Sequence, residues 1–181
     1  VLTPTRLPWP ANVVEVGAGY NHTLYRTADG LVYAAGGNSA GQLGIGNTTS
    51  SNTPVQVPGL TGVSQVSAGS GFSLAISHGV TVSWGLNRFG QLGDGTFLNE
   101  TLPALVSGLS SGVAMVAASR GEHALAVSTN GILVNWGNNL LSELGDGTTT
   151  NRPTAIPVAG VPVIQSASGG VFHSVGLEVI G

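Results

Sequence analysis

The stretch Trp84-Gly85-Leu86-Asn87-Arg88-Phe89-Gly90-Gln91-Leu92-Gly93-Asp94-Gly95 has two other versions in this chain. Upstream stands Ala35-Gly36-Gly37-Asn38-Ser39-Ala40-Gly41-Gln42-Leu43-Gly44-Ile45-Gly46, and downstream Trp136-Gly137-Asn138-Asn139-Leu140-Leu141-Ser142-Glu143-Leu144-Gly145-Asp146-Gly147. Gly41 precedes Gly90 by 49 positions, and Gly90 precedes Ser142 by 52. A glycine-rich repeat of roughly 50 residues, built from short apolar runs, marks a bladed architecture such as a propeller.

Everything between the three versions repeats with them. The chain divides into units at about 11–60, 61–109 and 110–161, flanked by partial units at 1–10 and 162–181, all within one propeller segment, 1–181. Each unit opens with a short β-rich run (Val13–Ala18, Val63–Ala68, Val113–Ala118) and a glycine- or serine-rich bend. A second run follows from His22, Phe72 or His123, and a third from Leu31, Val80 or Ile132. Asp29-Gly30, His78-Gly79 and Asn130-Gly131 separate the second and third runs and predict two-residue type I′ hairpins, whose central residues need positive φ. The last extended piece, as in Pro54–Pro58, carries proline, which cannot donate to a central ladder, so it belongs on an outer edge. Unit three has one extra residue between Val116 and His123, predicting a bulge or a longer bend. The fold class is therefore all-β: four-stranded antiparallel blades, about three and a half of them, without useful helical periodicity.

Composition narrows the partners. Only 7% of the 181 residues are charged, lysine is absent, and five arginines lie scattered in a chain of net charge −3. Without a basic run there is no surface to neutralise phosphates, so no nucleic acid is expected. No apolar run of ~18 residues and no leader are present, so no membrane partner is expected and the compartment stays open between secreted and cytoplasmic. Without cysteine, thiolate metal sites are excluded.

No catalytic, cofactor or metal constellation emerges from the remaining residues. His22, His123 and His173 occupy one position of successive units, with Phe72 in the second, and repeat symmetry spreads them around a ring. The expectation is a histidine hydrogen-bonded to backbone at a strand start. Asp94 and Asp146 lack the alternating oxygen ligands of a calcium loop and are expected to bond their own turns. Trp84 and Trp136 share one strand position and read as packing between blades. Function belongs where the units differ, in the loops flanking Gly-Gln-Leu-Gly. There Arg88, Phe89, Phe97, Leu98, Leu140, Leu141 and Arg152 form an aromatic, aliphatic and arginine set of the kind enriched at protein interfaces. Packing on the neighbouring blade is the alternative role for the same residues.

The linked pattern Val-x-x-Val-x-Ala-Gly-x-x-His-x-Leu, Asp-Gly, Trp-Gly-x-Asn-x-x-Gly-Gln-Leu-Gly-Asp-Gly and Thr-Pro closely resembles the repeat of the regulator of chromosome condensation family. Gly41–Gly44 and Gly90–Gly95 match best, and Ser142-Glu143 departs from Gly-Gln. The resemblance implies a seven-bladed β-propeller, of which this chain is about half. An open half-ring leaves two terminal faces uncovered, so the chain is expected to be a portion of a longer propeller or to complete the ring by self-association. Thr3–Pro8 is a candidate strand for the sheet begun at Val163. The implied function is a non-catalytic scaffold that binds another protein through its loops. Guanine-nucleotide exchange on a small GTPase is the alternative the family offers, although no stretch carries over the exchange residues. Proteinaceous enzyme inhibition is a further one, because propellers of similar repeats block β-lactamases.

Overall fold

The computed structural model describes residues 10–179, which are all strand, turn and loop. The expected Thr3–Pro8 strand, Trp9 and Gly181 lie outside the described residues.

Among the described residues, fourteen strands form three four-stranded blades and two strands of a fourth. Blade 1 holds β1 (Val13–Ala18), β2 (His22–Thr27), β3 (Val32–Gly36) and β4 (Ser51–Gln56) in that spatial order. Blade 2 repeats the order with β5 (Val63–Ala68), β6 (Phe72–Ser77), β7 (Val80–Gly85) and β8 (Glu100–Leu105), and blade 3 with β9 (Val113–Ala118), β10 (His123–Ser128), β11 (Leu133–Gly137) and β12 (Arg152–Pro157). Blade 4 shows β13 (Ile164–Gly169) and β14 (Ser174–Glu178). Every pairing is antiparallel. The proline-bearing strands β4, β8 and β12 lie on outer edges, where a missing N–H breaks no ladder.

The hairpin turns differ from expectation in two of three blades. His78 (φ 49°) and Gly79 (φ 78°) make the predicted two-residue turn. At Asp29-Gly30 and Asn130-Gly131 only the glycine has positive φ. The bonds Gly30 N→Thr27 O (2.9 Å) and Thr27 N→Leu31 O (3.0 Å) define a longer loop, a turn followed by a left-handed glycine. With Thr27 paired to Leu31 the loop is Ala28 to Gly30, one residue longer than His78-Gly79, and Asp29 keeps an ordinary φ. The extra residue of unit three lengthens the β9–β10 bend and leaves β10 in register, with Glu122 at φ 61°.

Blades are glued by side chains at three levels. On the innermost strands, one position reaches the next blade's backbone. Val66 N donates to Glu15 Oε1 (3.4 Å), Val116 N to Gln65 Oε1 (2.9 Å) and Ala167 N to Met115 Sδ (3.2 Å). Between the sheets, Trp84 packs with Leu24, Leu43, Val57 and Leu60 of blade 1. Trp136 packs likewise with Leu92, Val106 and Leu109 of blade 2. An indole buries roughly 150–250 Å², worth about 4–6 kcal/mol at roughly 25 cal/mol per Å². The third level is polar: Trp84 Nε1 donates to Gln42 O (2.9 Å), and Trp136 Nε1 to Gln91 O (3.0 Å).

Candidate functional site

Alternating strand direction sends the long β3–β4, β7–β8 and β11–β12 loops and the short β1–β2, β5–β6 and β9–β10 bends to the same end of the blades. That rim carries all the loop residues singled out from the sequence.

Each long loop is built on a fully buried asparagine. Asn38, Asn87 and Asn139 accept from the amides of Leu43, Leu92 and Leu144 at 2.9, 2.9 and 3.0 Å. Their side-chain amides donate back to the far limb of the loop, at Asn47 O and Thr49 O, Thr96 O, and Thr148 O and Thr150 O. One side chain thus ties both limbs of a 14-residue connection (37–50, 86–99 or 138–151), replacing a ladder the loop cannot make. The recurring Asn in Trp-Gly-x-Asn is the sequence signal for it.

The neighbouring framework residues also point into the loop. Gln42 and Gln91 cap the amides of Ala40 and Phe89, each at 2.9 Å. Glu143 does the same for Leu141 (2.8 Å), and Ser142 takes the left-handed backbone of Gly41 and Gly90 (φ 64°, 87° and 79°). The departure Ser142-Glu143 therefore conserves geometry.

Asp94 and Asp146 bond their own turns. Asp146 Oδ1 accepts from Asn139 Nδ2 (2.9 Å), Thr148 N (2.9 Å) and Thr148 Oγ1 (2.8 Å), and Oδ2 from Arg152 Nε (2.8 Å). Burial works against its charge, but the bonds from Thr148, Arg152 and Asn139 together hold the carboxyl well below the usual range. Arg152 is thereby a loop clasp. Among the described residues no three His, Cys, Asp or Glu side chains gather around a common point.

His22 and His123 each bond a hydroxyl of the next blade through Nε2; His123 also meets the backbone at Gly121 and His173, as expected, and its Nδ1 lies 2.8 Å from Ser119 Oγ of its own bend. His22 Nε2 sits 2.9 Å from Ser73 Oγ, which donates to Gln42 O (2.8 Å). His123 Nε2 sits 3.1 Å from Ser174 Oγ, which donates to Glu143 O (2.7 Å). Because each hydroxyl proton is spent on a carbonyl, each histidine carries its proton on Nε2 and donates it. At the middle seam Phe72 replaces the histidine, and Ala124 replaces the serine. Burial pushes His22 down to about 4, while His123 is lowered by burial against an opposing pull from Glu143.

What remains at the rim is apolar and exposed. Phe97 (52%), Leu98 (71%), Leu140 (56%) and Leu141 (62%) stand out of loops whose backbones are fixed as above. Arg88 reaches from blade 2 to Glu122 of blade 3, with Nη2 2.9 Å from both carboxylate oxygens, and lies 4.7 Å over the half-buried Phe89 ring. The structure thus brings Arg88, Phe89 and Glu122 together. Tyr20 and Phe172, exposed in the β1–β2 and β13–β14 bends, belong to the same rim and were missed. Bulky residues within otherwise small, polar bends were their signal.

The chain belongs to the regulator of chromosome condensation family: the family's repeat models match residues 29–76 and 79–127, and residues 13–42. It is similar to the human E3 ubiquitin-protein ligase HERC2, 34% identical over 170 residues covering 90% of this chain and 4% of that protein. The human X-linked retinitis pigmentosa GTPase regulator is 43% identical over 82 residues, 43% of this chain and 8% of that protein. Among solved structures, Prp20p of Saccharomyces cerevisiae aligns with a TM-score of 0.78 and 27% identity, over 97% of this chain and 44% of that one. Prp20p has been described for its binding to Gsp1p and histones, and Prp20 in complex with Kap60. The chain thus spans less than half of Prp20p and a small fraction of the two curated relatives.

Proposed function

We propose that this chain is a non-catalytic propeller segment that binds another protein through its loop rim. The observation that carries the reading is the exposure of Phe97, Leu98, Leu140 and Leu141 on loops that buried asparagines make rigid. Apolar anchors on a preorganised backbone lose little entropy on binding, which is what interface hot spots require. Arg26, Arg88 and Arg152 are each paired with a carboxylate, so little free positive charge is left for phosphates. The test is quantitative affinity capture from host extract with Phe97→Ser/Leu98→Ser and Leu140→Ser/Leu141→Ser double variants. A partner should be lost at least tenfold from one of them with the melting temperature held. Undiminished capture by both refutes the rim.

A second reading is regulation of a small GTPase, favoured by the relationship to a GTPase regulator and to a Gsp1p-binding propeller. Accelerated nucleotide release across a panel of small GTPases would support it, and unchanged release would remove it.

A further inference from the structure

The innermost strands carry one seam position three times, and the third copy has a different chemistry. Glu15, Gln65 and Met115 stand at the same place in β1, β5 and β9, and each accepts from a backbone amide of the next blade. Glu15 offers a carboxylate. Gln65 offers a carboxamide, whose Nε2 also donates to Val116 O (3.2 Å). Met115 offers only its thioether, 3.2 Å from Ala167 N. A thioether sulfur is a weak acceptor, so this N–H is held more loosely than that of Val116, which has Gln65 Oε1 at 2.9 Å.

Atom by atom, methionine is one oxygen short of the glutamine in the same role. Sδ stands where glutamine has Cδ, and Cε where it has Nε2. An oxygen added to Sδ takes the place of Oε1 and turns a nearly apolar group into a polar one. The surroundings leave that oxygen one favourable direction. Met115 packs against Leu125, Val127, Leu133, Ile164 and Ala167, an apolar cluster in which an oxygen would be buried without a partner. The Ala167 N–H is the donor at hand. Three rotatable bonds let the sulfur draw back to make room for the new atom. Met115 is half-buried, as is Gln65 between two four-stranded blades, so a small oxidant reaches the side chain. It is the one methionine of a chain without cysteine, so no other sulfur competes for the oxidant.

We infer that Met115 is an oxidation site whose product tightens the seam between blades 3 and 4. The oxidant is a hydroperoxide, which delivers one oxygen atom. The Sδ lone pair attacks a peroxide oxygen, the S–O bond forms as the O–O bond breaks, and the two electrons lost by sulfur reduce hydrogen peroxide to water. The sulfoxide oxygen then accepts from Ala167 N as Gln65 Oε1 does from Val116 N. Oxidation of a packed methionine ordinarily disrupts its core, so the sign expected here is the opposite of the usual one. Enzymatic reduction of the sulfoxide restores the thioether and makes the change reversible.

The test is treatment of the folded protein with dilute hydrogen peroxide, followed by peptide mass mapping and residue-resolved amide exchange. The chain should gain one oxygen, located at Met115. Exchange at the Ala167 amide should then slow by about fivefold to tenfold, the effect of one ordinary hydrogen bond gained, with the Val116 amide unchanged. A sulfoxide reductase should return the original rate. Met115→Gln should show the slow rate without peroxide. Met115→Leu should not respond to peroxide at all, which also separates the effect from any oxidation of tryptophan. Faster or unchanged exchange at Ala167 in the oxidised protein overturns the inference. So does a Met115 that peroxide modifies only in denaturant. The comparison of oxidised with untreated protein uses the natural sequence and holds even if either variant fails to fold.

Discussion

His22 Nε2 donates to Ser73 Oγ across the seam between blades 1 and 2, over 2.9 Å and 51 positions of sequence. The serine hands its own proton to Gln42 O, so one fixed tautomer locks two sheets. His22 Nδ1 is buried and has no partner, so protonation there would bury an unpaired charge.

That arrangement makes the seam acid-labile. The folded value of His22, about 4, lies below its ordinary 6.5, so the unfolded chain binds the proton more readily. The stabilisation is complete above pH 6.5 and drains as pH falls from 6.5 to about 4, by about 3 kcal/mol at the lower limit. The double variant His22→Phe/Ser73→Ala copies the Phe72–Ala124 seam. Urea midpoints measured between pH 7.5 and 4 should fall less steeply for it than for the wild type.

The indole clamp separates into packing and bonding. Trp84→Ala should cost about 3–5 kcal/mol through the cavity it opens. Trp84→Phe keeps an aromatic ring but leaves Gln42 O without its N–H, adding about 1–2 kcal/mol to a smaller packing loss. Denaturant melts monitored by circular dichroism distinguish the two.

Two left-handed glycines isolate packing from backbone strain. Gly44 (φ 70°) and Gly59 (φ 75°) share a conformation, but a Cβ at Gly59 meets nothing within 4 Å. Gly59→Ala should cost about 1–2 kcal/mol from backbone strain alone. Gly44→Ala should add about 1–3 kcal/mol by pushing on the Trp84 indole. Equal melting temperatures for the two variants would refute the tight Gly44–Trp84 contact.

The loop asparagine is expected to matter more than any loop surface residue. Asn87→Ala strands the Leu92 amide and the Thr96 carbonyl, a loss of about 3 kcal/mol, and should abolish protection of the Leu92 amide in hydrogen exchange. Arg88→Ala removes a pair whose arginine side chain is 62% exposed, so its cost should stay within about 1 kcal/mol.

Strand number, order and outer-edge placement were legible in the chain because they follow from local rules. Period-two apolar runs, glycine bends and proline-bearing terminal strands each act within a few residues, and repetition at roughly 50 residues amplifies them. The turn at Asp29-Gly30 was misjudged because loop length, and not the dipeptide alone, selects the turn type. At the rim, sequence picked out Phe97, Leu98, Leu140 and Leu141 as odd apolar groups in polar loops. It did not distinguish them from Arg152, whose neighbour Asp146 captures it only once the loop has closed.

The sequence by itself determined a repeated blade and the indole that stands at one position of it. Only the tertiary structure decided that His22 answers to Ser73 and that Glu122 holds Arg88. Those facts depend on which faces of successive blades meet. Contacts between groups about 50 residues apart leave no local pattern for a sequence to display.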